Sequence, residues 1–521
     1  MKKNELLRAL VLNGGNANDI ETQYEIISRL SERILQEDSI DADEFDLLVE
    51  DTVGDKAVST RKAKKLIEGT HAFMFENGQW KYNQNFELYG QVIAFSDFID
   101  LFTEKPSESK TIQPSSDPAQ VAIIRGIEWM LRVTELAIDS GDINGLPAFF
   151  SCNDAEDIII GVNTAGTATS DALSMLCTSP GCLSQCGKTA DEIADCLNFL
   201  IEKIIACQSQ VSDWDKGGFM PLEDQQESDH PTVEATCLAV MALATYYEQQ
   251  KTIGELLGVA ISVSGDIIEK AIYDGLDFLF RMKLSDGSFG IYRYEDGTEA
   301  PPNENCTRLV QSTMGVCKGS GLFDSTGRTE MYSMCNIVID GTYRYLCDHT
   351  AEYNDYTVWA PYFGDRAQDY HTPDVTFSTA RVCRSFIPVW YLMENERDNI
   401  VRYNENLLRY WREHEKEIEN AVGYYRFNSP SENGFSAGDY FWPSRADMLA
   451  AFSVLQAYNL FELALTKRDW VMIDKTVDRT LMLQHPHGHW DNPLAVKTPF
   501  CGATLAAIEL LQEYRKAKRV D

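Results

Sequence analysis

A glycine followed closely by an aromatic residue returns along this chain at intervals of about 70 positions, and that period limits the fold more than any single motif does. The copies are NGQW ending at Trp80, DKGGFMP with Phe219, SDGSFG with Phe289, SENGFSA with Phe435 and HPHGHW ending at Trp490. Two more positions fit by spacing without a clear glycine: Phe150 in LPAFFS and Trp359 in DYTVWAP. The last interval is shorter than the others.

The flanks repeat with the turn. Before it come amphipathic runs such as ADCLNFLIEKIIACQ and AIYDGLDFLFRMK. After it come a loop and a run rich in Thr, Ala and Leu, as in TVEATCLAVMALATYY, NCTRLVQSTMGVC, RADMLAAFSVLQAYNLF and TPFCGATLAAIELLQEY. Apolar residues recur three and four apart in these runs, which is helical spacing, and the small residues among them let helices approach closely. Pro221, Pro301, Pro302 and Pro373 fall in loops or at helix starts, where proline is tolerated. Each unit therefore reads as helix, Gly-aromatic turn, loop, helix. A hairpin of this kind cannot bury its own apolar face, so about six or seven of them must stack. Closure into a ring is expected over an open solenoid, because the last unit looks like the middle ones and has no polar cap. Residues 1–65, helical and acid-rich, are expected to form an N-terminal helical extension, and 66–521 the repeat domain.

With 44% hydrophobic and 11% aromatic residues, the 521-residue chain has enough apolar material for a large core. A net charge of -34 speaks against nucleic acid and anionic membrane surfaces, both polyanions. The N-terminal MKKNELLRAL lacks the apolar run of a signal peptide, and no stretch reaches the roughly 18 apolar residues of a membrane span. Thirteen cysteines, an odd number, then read as reduced thiols of a cytoplasmic protein. Cys177, Cys182, Cys186 and Cys196 have donor chemistry for a structural zinc but lack CxxC knuckles, so helix packing is the plainer expectation. His485, His487 and His489 crowd the last turn. Two of them with Asp491 could bind a divalent metal, or they simply decorate a surface turn; the expected site contains no metal, and the residues name no cofactor.

The segments KLSDGSFG, CQSQVSDWDKGGF and LQHPHGHW, each with the Thr/Ala-rich helix that follows, resemble the repeat of the squalene/terpene-cyclase and protein-prenyltransferase superfamily over residues 67–515. That resemblance implies an all-α fold, an α/α toroid of inner and outer helices around an apolar cavity that holds an isoprenoid or another ligand. It also locates departures. Where proton-donating cyclases carry DxDD, this chain has Asp374-Val375-Thr376-Phe377. Where prenyltransferases carry their zinc ligands in DGCY and a later HT, it has Asp340-Gly341-Thr342-Tyr343 and His371-Thr372. The tetrapeptide Asp41–Glu44 (DADE) has carboxylate spacing but lies in the extension.

The starts of inner helices converge on one axis, so the site is expected at that rim. Asp374 is the expected acid. Trp359, Asp365, Arg366, Tyr370, His371, Arg381, Trp442 and Arg445 are the expected ligand-binding residues, with the arginines suited to an anionic group beside helix N-termini. Three functions fit these residues: an isoprenoid cyclase or transferase; a non-catalytic protein whose toroid holds a peptide, a partner subunit or a small, apolar ligand; and, behind these, a carbohydrate-active α/α barrel, which needs two carboxylates facing across an aromatic-lined cleft.

Overall fold

In a computed structural model of the chain, the seventy-residue period is a helical hairpin. The structure describes residues 20–37, 39–53, 67, 72–85, 87–88, 91–92, 95, 117–140, 145–146, 151–152, 158–159, 166–210, 214–221, 230–259, 261–293, 297–323, 328–361, 365–423, 426–427, 440–441, 444–493 and 500–518. The chain divides into two compact units, Met1–Pro114 with Asp478–Pro486 and Ser115–Val477 with His487–Asp521.

The smaller unit contains helices α1 (Ile20–Glu37) and α2 (Ala42–Val53) and an antiparallel sheet of β1 (Ile40–Asp41), β2 (Phe73–Glu76) and β3 (Gln79–Tyr82), ordered β1-β3-β2. Asn77 and Gly78, both at positive φ, make the two-residue turn between β2 and β3, the conformation that Asn-Gly favours in hairpins. Trp80 thus belongs to a β-hairpin. It is buried and stacks on Phe45 at 4.6 Å. The DADE carboxylates cap α2: Asp41 Oδ1 accepts from the amides of Asp43 and Glu44, and the Asp41 amide donates back to Glu44.

The larger unit holds twelve principal helices among its described residues: α3 (Pro118–Ser140), α4 (Gly166–Thr178), α5 (Ala190–Ala206), α6 (Val233–Leu257), α7 (Gly265–Met282), α8 (Glu304–Gly319), α9 (Thr329–Asp348), α10 (Thr372–Phe386), α11 (Arg397–Glu413), α12 (Ala446–Phe461), α13 (Lys467–Met482, of which Val477 is the last residue in this unit) and α14 (Cys501–Lys518). Even-numbered helices α4, α6, α8, α10, α12 and α14 pack each on the next, and α14 packs back on α4. This is a closed ring of six inner helices. The odd-numbered helices lie outside: α5 on α4, α7 on α6, α9 on α8, α11 on α10 and α12, α3 on α14. Helix α13 joins them through Trp470 against Tyr458 of α12 and Asp474 with Tyr514 of α14. Among its described residues the larger unit is thus an all-α, α/α toroid of six hairpins.

Sequence chemistry explains the two layers. Outer helices bury one stripe, as Ile268, Ile272, Leu276 and Leu279 do on α7. Their starts are capped: Ser264 accepts from the Ile267 amide, and Thr189 forms a capping box with Glu192 on α5. Inner helices bury nearly all their circumference and so are built from Ala, Thr, Cys and Leu rather than from a polar and an apolar face.

The Gly-aromatic turn latches the layers together. The backbone amides of Phe219, Phe289, Trp359 and Trp490 each donate to a threonine hydroxyl on the following inner helix, Thr236, Thr307, Thr379 and Thr504, at 2.9–3.1 Å. Leu146 does the same to Thr169 at 2.9 Å. Three of these threonines, Thr236, Thr307 and Thr504, also donate to the carbonyl four residues earlier. One hydroxyl thereby satisfies a buried loop amide and a first-turn carbonyl. Two residues before three of the aromatics, Gly217, Gly287 and Gly488 have φ of +83°, +93° and +100°. A Cβ there would meet backbone of the next outer helix: Asp274 O at 2.2 Å, Gly341 O at 2.8 Å and Arg125 O at 2.0 Å. The third contact runs from the last turn to the first outer helix, α3. Phe150 and Phe435 lie outside the described residues.

Candidate functional site in the toroid

The residues singled out by sequence are spread over core, rim and surface. Trp359 is a core residue: its indole donates to Leu346 O at 2.8 Å and its ring packs edge-on to Phe386 and Tyr403. Asp365, Arg366 and His371 are exposed. Arg366 pairs with Asp369 at 2.7 Å, and the Tyr370 hydroxyl donates to Asp365. Arg445 forms a buried two-pronged pair with Asp447 at 2.6 and 3.1 Å. Asp374 is half-buried in the first turn of α10, where its amide bonds His371 O. Trp442 lies outside the described residues. Thr342 of the DGTY segment is wholly buried on outer helix α9 and donates to Val338 O, and neighbouring Gly341 receives the Gly287 turn. That tetrapeptide is explained by packing.

The six inner helices enclose a cavity of about 370 Å³, within the range of small-molecule sites. The cavity keeps apolar surface but is not the purely apolar one expected. Asp171 of α4, Glu234 of α6 and Glu509 of α14 line it together with Arg308 of α8 and Arg381 and Arg384 of α10. Arg381 is the residue of the predicted set that stands on this wall among the described residues. Phe377, Phe500 and Leu309 supply apolar surface, and Ser174, Ser312 and Ser444 supply hydroxyls.

Burial dominates the electrostatics. It raises the Asp171 carboxyl to about 7, helped by the negative charges of Glu509 and Glu234 and opposed by Arg384. Glu234 is also pushed to about 7 by burial, against a hydrogen bond from Asn305 and the charge of Arg381. Glu304, at the start of α8 and almost fully buried, rises to about 7 for the same reason, opposed by Arg381. Glu509 is raised by burial while its 2.7 Å pair with Arg384 pulls the other way. Asn305 ties one side together. Its Nδ2 donates to Glu234 at 2.7 Å, while its Oδ1 accepts from Arg381 at 2.5 Å and from Arg308. Near neutral pH this wall holds both protonated and ionised carboxyls, the condition for giving and taking protons.

Asp171 sits in NTAGTATSDAL, which reads as a loop leading into a small-residue helix, and Glu234 reads as a helix-starting residue. The missed signal was a carboxylate embedded in each otherwise small or apolar inner-helix run, TSDAL and TVEATC among them.

Metal sites find little support elsewhere. Among the described residues no group of three or more His, Cys, Asp and Glu is arranged to hold a metal ion. Cys177, Cys182, Cys186 and Cys196 are buried, and burial pushes all four thiols up, so they pack as neutral groups. His489 is wholly buried, 3.1 Å from Asp491 and against Trp129. The last turn is thus core rather than surface decoration at that position. No described helix is long and apolar enough to cross a membrane.

No protein-family model matches the chain, and no curated protein does. Solved structures similar to it include a D-mannose isomerase (12% identity, TM-score 0.49, covering 80% of this chain and 100% of that one). An unsaturated glucuronyl hydrolase specific for heparin matches at 10% identity and TM-score 0.46, over 78% and 99%. A cellobiose 2-epimerase from Bacillus thermoamylovorans B4167 matches at 12% identity and TM-score 0.46, over 74% and 99%.

Proposed function

We propose that this protein is a carbohydrate-active enzyme that uses the carboxyls of Asp171 and Glu234 as a proton-exchanging pair inside the toroid. The observation that carries this reading is the charged cavity wall, on which both groups are raised to about 7. Polyols suit such a wall. Their hydroxyls satisfy carboxylates, guanidiniums and serines, while a sugar's C–H face rests on rings such as Phe377 and Phe500. A hydrocarbon chain would strip water from six ionisable side chains and return no hydrogen bond, which weighs against an isoprenoid.

The protonated member of the pair delivers its proton to a sugar oxygen. The ionised member takes one from water or from the sugar. Arg384, held by Glu509, keeps a positive charge beside Asp171. Asp374 lies on the strip of α10 that carries Phe377, Arg381 and Arg384, one turn toward the helix start, and there serves the mouth of the site as a ligand contact.

The test is a screen of neutral and acidic mono- and disaccharides for isomerisation and glycoside cleavage. Wild-type turnover of at least one sugar is expected, with a loss of about 100-fold or more in Asp171→Asn and in Glu234→Gln. A wild-type protein that neither turns over nor binds any sugar in the screen overturns the reading.

A further inference from the structure

Asn305 lies at the second position of α8 and is buried. Its amide orientation is fixed by its neighbours. Arg308 and Arg381 carry donors only, so the atom facing them must be the carbonyl oxygen. The amide nitrogen therefore faces Glu234 and donates to its Oε1 at 2.7 Å. With Oε1 engaged as an acceptor, a proton on Glu234 has to sit on Oε2. A donor aimed at a carboxyl also favours its ionised form. Asp171 has different surroundings: burial and then the carboxyls of Glu509 and Glu234 favour its protonated form, against the charge of Arg384, and no amide donor is among the causes.

From this geometry we infer that Asn305 is a positioning residue that divides the labour of the pair, holding Glu234 as the base acting through Oε2 and leaving Asp171 as the acid. The inference rests on the acid–base reading above. Two arginines fix the amide, the amide fixes one oxygen of Glu234, and the other oxygen is left to meet the ligand. Asn305 itself transfers no proton. Of its two guanidinium partners, Arg308 also pairs with Glu304, whose Oε1 lies 3.5 Å from Arg308 Nε, and Arg381 acts on Glu304 through its charge.

The assignment predicts an asymmetric response. In the full chain, carboxyl carbons of Glu234 and Asp171 can be titrated by ¹³C NMR without any substrate. Asn305→Ala removes the donor, and the Glu234 midpoint should rise by about one pH unit or more while that of Asp171 moves less. Asn305→Asp keeps the shape and both arginine contacts but turns the donor into an acceptor. It should raise Glu234 at least as far, and it covers the case in which the alanine variant does not fold. On a sugar that is turned over, both variants should move the acidic limb of the pH–rate profile upward. A midpoint of Glu234 that stays within about 0.3 unit in both variants, or an equal shift of both carboxyls, overturns the assignment. A selective Glu234 shift in a protein that turns over no sugar upholds the positioning and removes the carbohydrate reading instead.

Discussion

Gly488 in the last turn lies directly against the backbone carbonyl of Arg125 on the first outer helix, so close that a Cβ would stand 2.0 Å from that oxygen. Gly217 and Gly287 make the same contact with Asp274 and Gly341 one hairpin further on. The ring is therefore closed by the interaction that joins its internal units. Gly488→Ala should cost about 3 kcal/mol or more, from the left-handed backbone and the displaced carbonyl together. Gly78→Ala, also at positive φ but with nothing within 4 Å, should cost about 1 kcal/mol. Urea unfolding of both variants against wild type checks the contrast, and equal losses would remove the closure argument.

Thr236 is the hydroxyl that receives the Phe219 amide and bonds Thr232 O. Thr236→Val keeps the volume and leaves that amide without its acceptor. A loss of roughly 1–3 kcal/mol is expected, with turnover of any substrate changed little, since Thr236 is not on the cavity wall. Chemical denaturation alongside a rate assay separates the two effects.

The carboxyls of Asp171, Glu234 and Glu304 each bind a proton more tightly in the folded chain, at about 7, than ordinary carboxyls do at 3.8 to 4.5. For a raised group the stabilising contribution is complete below the ordinary value and fades as pH climbs through the folded value. The toroid should thus lose stability between about pH 4 and pH 7, by roughly 1–4 kcal/mol for each group, and change little from this source above it. Asp171→Asn should flatten part of that slope. Denaturation midpoints at pH 5 and pH 8 measure it, and an unchanged slope would contradict the buried-carboxyl account.

Activity should peak near pH 7 and fall on both sides, because one carboxyl must hold a proton while its neighbour lacks one. Arg384→Gln withdraws a positive charge that opposes protonation of Asp171. The alkaline limb should then shift upward, and a pH–rate profile reads it directly.

Asp374→Asn distinguishes mouth from interior. The mouth assignment predicts a rise in KM of about 3- to 10-fold with kcat retained. A collapse of kcat to the level of Asp171→Asn would make Asp374 a member of the proton-exchanging set.

The periodicity of helix pairs was legible because the latch needs specific residues at fixed places: glycine for a left-handed turn, an aromatic to fill the core, threonine to receive an amide. The number of copies was harder. NGQW has the same glycine two residues before a tryptophan as HPHGHW, yet Asn77-Gly78 closes two strands, which the Asn-Gly pair itself favours. The site was poorly legible for a physical reason. Aromatic and charged loops announce themselves by composition, whereas Asp171, Glu234 and Asn305 are single polar residues in helices made almost wholly of small and apolar ones. Only the ring, which brings three separate helices to one cavity, reveals that they face each other.

The amide–threonine latch has a consequence for hydrogen exchange. Loop amides usually trade their protons with solvent through small local openings. Those of Phe219, Phe289 and Trp490 are buried and held by hydroxyls that themselves bond to an inner helix. For such a proton to reach deuterium, the first turn of that helix has to leave with it. These three loop positions should therefore exchange on the slow timescale of the helical core, marking in a spectrum where one hairpin is fastened to itself.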